Sequence, residues 1–171
     1  MLNEKIANLI NEQINKELYS GYLYLEFANY LEELGLDGFA NWYEIQAKEE
    51  RDHAVIMRRY LLDNGYRVTL DTIAKPDIKL GSAMDVLKAG VKHEQYVTSL
   101  INNIYGEAFS LKDFKTMQFL DWFIKEQVEE EKNAEDLVKK MELFGNDSKS
   151  LYLLNQELGT RVYTPTAMLN N

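Results

Sequence analysis

The chain has 171 residues, enough to bury a sizeable core, and 46% of them are hydrophobic. Its lack of cysteine excludes a disulfide framework, thiolate zinc sites, iron–sulfur clusters and cysteine nucleophiles. A formal charge of −9 argues against nucleic acid as a partner and favours cations.

The N-terminal stretch "MLNEKIANLINEQINKEL" is amphipathic and mixed in charge, without the layout of a signal peptide. No apolar run approaches the ~20 residues of a membrane span. The expectation is a cytoplasmic protein with no membrane partner. Helical periodicity then dominates, with helices expected over about 4–34, 37–64, 82–107, 111–144 and 147–158. Gly35, Gly65, Gly145 and Gly159 stand where such helices stop, and Asp37, Ser82, Ser110 and Asp147 where they start. Short turns make the first two helices antiparallel neighbours, and likewise the third and fourth. The connection over roughly 66–81 is different: extended, it could span about 50 Å, the length of a bundle helix. The pattern predicts an all-α four-helix bundle in one domain. In it two hairpins are joined by a long crossover, followed by a short fifth helix and an aperiodic tail over 159–171.

The two hairpins overlay at one constant offset. Glu17 falls on Glu94, Glu49 on Glu126, Glu50 on Gln127 and His53 on Glu130. Each of these residues except Glu49 and Glu126 lies within an apolar stripe, so all four helices aim a carboxylate inward. Buried carboxylates cost several kcal/mol each, and no basic residue recurs on these inner faces to pair them. Two divalent cations would balance four carboxylates, and carboxylates with one imidazole suit iron, manganese or zinc. A Glu from each of two helices with Glu-x-x-His-type pairs from the other two is the di-metal pattern of carboxylate bundles. His93, one position off its stripe, reads as a surface or helix-interface residue. Glu49, Glu126 and Glu129 lie one step from the inward residues. Tyr24 shares the face of Glu17, as core packing or as a phenol hydrogen-bonded near the metals. A metal-free helical module with hydrogen-bonded inward acids is the competing reading.

Over essentially its whole length the sequence resembles the bacterial non-haem ferritins. The resemblance is carried by Glu17 with Tyr24, "EIQAKEERDH" with Glu50 and His53, "HEQ" with Glu94, "FIKEQVEEEK" with Gln127 and Glu130, and the short helix after Gly145. It implies a ferroxidase centre. One iron would be held by Glu17, Glu50 and His53; the other by Glu94, Glu130 and a bridging Glu50, with Gln127 close by. A third iron site would use Glu49, Glu126, Glu129 and Glu130, and Tyr24 would be the nearby redox or hydrogen-bonding tyrosine. The activity implied is oxidation of Fe(II) by dioxygen or hydrogen peroxide, with ferric mineral stored in a homo-oligomeric shell of about two dozen subunits. A di-iron peroxidase that stores little is the alternative within the same fold. Bacterioferritins use a methionine near the second-helix ligand for haem; Arg51 and Asp52 stand there, so no haem is expected. Two acidic positions lining the three-fold pore of animal ferritins appear as Met117 and Leu120, which puts that acidic iron route in doubt.

Overall fold

The computed structural model describes residues 2–170. Four long helices, α1 (Glu4–Glu33), α2 (Asp37–Asp63), α3 (Ala83–Ser110) and α4 (Phe114–Phe144), are followed by a short α5 (Ser148–Leu158) and a 3-10 turn over Ala167–Asn170. Among the described residues there is no strand. Helices α1 and α2 form one hairpin and α3 and α4 the other, and α5 packs on α2 and α4.

Side-chain caps set most of the starts. Asn3 accepts from the Lys5 amide, Ser82 from Asp85, Asp113 from Thr116 and Asp147 from Ser150. Two starts differ from expectation. Ser110 belongs to the end of α3, where its hydroxyl donates to the Gly106 carbonyl at 2.9 Å. Asp113 wins the cap because its carboxylate accepts from both the amide and the hydroxyl of Thr116, at 3.1 and 2.7 Å. Asp37 is the first residue of α2 rather than its cap, and Leu36 before it offers no side-chain acceptor. The missing acceptor comes from α5 instead: Asn155 Oδ1 takes the amides of Gly38 and Phe39 at 2.9 and 3.2 Å. A Cβ on Gly38 would lie 1.7 Å from the Asn155 carbonyl oxygen, so this close docking needs glycine. At the helix ends, Gly35 (φ 72°) and Gly65 (φ 73°) take the left-handed turn expected of them, whereas Gly145 and Gly159 stay right-handed.

The crossover runs extended along α1. Tyr66 donates to Asn8, Asn11 exchanges hydrogen bonds with Thr69 at 2.8 and 2.9 Å, and Asn15 donates to the carbonyls of Asp71 and Thr72. Residues 8, 11 and 15 recur at helical spacing on one edge of α1, where Asn11 and Asn15 satisfy backbone groups that a strandless connection leaves open and Asn8 takes the Tyr66 phenol.

Two apolar clusters form the core. One joins Ile6, Ile10 and Ile14 to Met57, Leu61, Ile101, Leu120 and Phe123. The other joins Leu23, Phe27 and Leu31 to Phe39, Leu87, Leu137 and Leu154. Between them every long helix contributes a polar level: Glu17 on α1, Gln46, Glu50 and His53 on α2, Glu94 on α3, and Gln127 and Glu130 on α4, all buried. Leu120 is fully buried in the first cluster and Met117 packs against it, so Leu120 is a core residue and lines no pore.

Candidate metal centre

The polar level holds four carboxylates and one imidazole inside the bundle. Glu17, Glu50 and His53 each offer a donor atom within 4.8 Å of the others, the one such grouping among the described residues. His53 Nδ1 lies 3.2 Å from Glu50 Oε2 and 4.0 Å from Glu17 Oε2. The one-turn spacing of Glu50 and His53 on α2 creates the first contact, and the α1–α2 hairpin brings Glu17 to it. Gly21 admits this approach: its α-carbon leaves room for the α2 backbone, where a Cβ would sit 3.1 Å from the Ala47 carbonyl oxygen. The His53 ring stands edge-on to Trp122 and Phe123, with centroids at 5.5 and 5.9 Å, which walls the imidazole with apolar surface.

The second half of the level is held by neutral donors. Tyr24 donates to Glu94 Oε1, and Gln127 Nε2 donates to Glu94 Oε2 at 3.2 Å and to Thr98 Oγ1 at 3.3 Å. Gln46 donates to Glu130 Oε2 at 2.7 Å, and Gln13 to Glu17 Oε1 at 2.8 Å. Neutral donors orient carboxylates without cancelling their charge. Glu17 Oε2 and Gln46 Oε1 are buried with no hydrogen-bond partner.

This crowding shifts every acid in one direction. Burial first, then the charge of Glu50, holds Glu17 well above the usual carboxylate range. Burial, then the charges of Glu94 and Glu130, does the same to Glu50. Glu94 is raised by burial against the opposing hydrogen bonds of Tyr24 and Gln127. Burial and the charge of Glu94 push Glu130 up to about 8. Tyr24 is raised by burial and by Glu94, so it is a neutral donor at neutral pH. Without a cation the site must hold protons; a divalent ion could replace them.

The acids proposed for a third ion are arranged differently. Glu49 is half-buried and paired with Arg161 at 2.7 Å. Glu126 is half-buried, with its carboxyl raised by burial, and Glu129 is exposed. The structure does not gather these three into the compact cluster formed by Glu17, Glu50 and His53. His93 sits half-buried between helices, its Nε2 2.8 Å from Ser20 Oγ on α1, with burial lowering its pKa to about 4.

Sequence reasoning missed Gln13, Gln46 and Arg161. Gln13 stands one turn before Glu17 and Gln46 one turn before Glu50, a helical spacing that could have flagged both. Arg161 lies in an aperiodic tail, where no local pattern points back to α2.

The family model described as the ferritin-like domain matches residues 7–144. A bacterial non-heme ferritin of Staphylococcus epidermidis is 37% identical over 163 residues, covering 95% of this chain and 98% of that protein. Another, from Campylobacter jejuni, is 36% identical over 156 residues, covering 91% and 93%. The open-pore ferritin of the hyperthermophilic archaeon Archaeoglobus fulgidus shares the fold with a TM-score of 0.92 at 40% identity, covering 95% of this chain and 100% of its own. The chain belongs to the ferritin family, as a four-helix bundle with a long crossover and a short C-terminal helix.

Proposed function

We propose that the chain oxidises Fe(II) within its bundle and stores the ferric product. The observation that carries this reading is the polar level itself: four buried carboxylates and one imidazole, with Glu17 Oε2 left without a partner. Glu17, Glu50 and His53 Nδ1 hold one Fe(II). Glu94, Glu130 and the shared carboxylate of Glu50 hold the second, with Gln127 beside it. Two-metal sites of this kind hold their ions about 3.5–4 Å apart, close enough for one oxidant to take an electron from each.

Binding releases the protons that the raised acids carry. Each Fe(II) then gives up one electron. Dioxygen takes the pair with two protons and leaves as hydrogen peroxide; supplied instead as oxidant, hydrogen peroxide takes the pair with two protons and leaves as two waters. Gln13, Gln46 and Gln127 keep the carboxylates oriented while the iron charge rises, and Tyr24 holds Glu94 through its phenol. Carboxylates bind both oxidation states, so the site stays intact through oxidation, and the ferric ions then pass to the mineral.

Storage needs a container. Tyr22 and Leu25 on α1, with Leu70 and Ile73 on the crossover, are exposed large hydrophobics, which suits contact with further copies of this chain. We read the assembly as a closed homo-oligomer of about two dozen copies in the cytoplasm. Loading purified protein with a large excess of Fe(II) in air tests this reading. The expected result is soluble ferric mineral far beyond two irons per chain, co-eluting with the assembled shell. Uptake that stops after a few irons per chain favours the di-iron peroxidase, and none at all favours the metal-free module.

A further inference from the structure

The tail after α5 has no periodicity, yet it is held to α2 at several points. Asn41 donates to the carbonyls of Leu158 and Arg161 at 3.4 and 3.1 Å. Tyr163 donates to Asp52 Oδ2 at 2.6 Å, and Arg59 donates to the Leu169 carbonyl. Between these ties the Arg161 guanidinium stacks 4.0 Å over the Trp42 ring, and its Nη1 reaches the Trp42 carbonyl at 3.4 Å. Its Nη2 lies 2.7 Å from Glu49 Oε2, with the two side chains only 20% and 24% exposed. Stacking and backbone contacts fix this cation before Glu49 is considered, so little further ordering is needed to form the pair.

Glu49 directly precedes Glu50 on α2 and is half-buried, with burial raising its carboxyl against the opposing charge of Arg161. We propose that Arg161 is a built-in counter-ion that closes Glu49 to iron and so limits the chain to its two intra-bundle metals. The inference rests on the proposed two-iron reading. It makes Arg161 a positioning residue that sets metal count, and the tail the element that delivers it. An iron ion can use Glu49 only by displacing a guanidinium that is held on its stacked face as well as by the ion pair.

Anaerobic calorimetric titration of the assembled, metal-free protein tests this, with Fe(II) and separately with Zn(II). Wild type, Arg161→Lys and Tyr163→Phe are expected to bind about two strong equivalents per chain, as a two-metal site does. Arg161→Gln is expected to gain one more strong equivalent, and adding Glu49→Gln to it should remove that gain. The inference is overturned if Arg161→Gln matches wild type, if wild type already binds the extra equivalent, or if the gain survives in the double variant. Should Arg161→Gln not assemble, a crystal structure of zinc-loaded wild type decides: the Arg161–Glu49 contact intact supports the inference, and zinc on Glu49 overturns it. Wild type with no strong binding would instead refute the two-iron reading.

Discussion

Glu130 shows how a single side chain ties folding to metal binding. In the metal-free chain its carboxyl is pushed from 4.5 up to about 8, first by burial and then by the charge of Glu94. The native state therefore binds this proton more tightly than the unfolded chain does. Its stabilising effect is complete below pH 4.5 and is lost as pH rises through about 8. Glu17 and Glu50 are shifted the same way, so they steepen the loss. Calorimetry on chelator-treated protein should show Tm falling steadily between pH 5.5 and 8, and saturating Zn(II) should flatten that slope because ions replace the protons. A metal-free Tm that rises across this window would contradict the charge state assigned to the centre. At this scale the inward acids were legible because an apolar stripe interrupted by Glu or His conflicts with burial. Gln13 and Gln46 left only the weaker signal of one-turn spacing to an inward acid, because an amide in a stripe carries no comparable penalty, and Arg161 left none, because a tail has no period to interrupt.

Helix α2 contributes Gln46, Glu50 and His53 to the centre, yet it lacks a cap of its own. Asn155 supplies it from α5 by accepting the Gly38 and Phe39 amides, more than a hundred residues away in sequence. Losing an N-cap acceptor costs about 0.5–2 kcal/mol, and here it also loosens α5 from the bundle. Asn155→Ala is therefore expected to lower stability by roughly that amount and to speed hydrogen exchange at the start of α2, measured by mass spectrometry. Unchanged exchange there would show that Asn155 does not cap the helix. Caps within a few residues of their own helix, such as Ser82 and Asp147, could be read from sequence. The cap from Asn155 could not, since it depends on where α5 docks. The shift from Ser110 to Asp113 has a different origin. Two capping residues compete three apart, and the side chain that satisfies both polar groups of Thr116 prevails. The crossover was legible as a length, but its Asn8, Asn11 and Asn15 partners were not, because exposed asparagines on a helix look like ordinary surface.

Across the whole molecule, two apolar clusters pack the bundle ends and a polar level divides them. A metal-free core has no need of such a division: apolar residues at those positions would pack more favourably than four buried carboxylates. The division makes sense if folding and metal binding are linked, with the ions bringing the charge that the helices omit. The repeat between the hairpins expresses this at the largest scale, since each half contributes one lone glutamate and one polar pair to a shared level. The overlay was visible in the sequence. That the level falls between two separate clusters emerged only from the packing.

Whether this level oxidises iron is decided by stopped-flow spectroscopy of Fe(II) oxidation in air. Two Fe(II) per chain are mixed with wild type and with Glu17→Ala, both first shown by light scattering to form the same assembly. Fast oxidation is expected in wild type, and a rate lowered at least ~10-fold in Glu17→Ala. Equal rates in the two assembled proteins would contradict it.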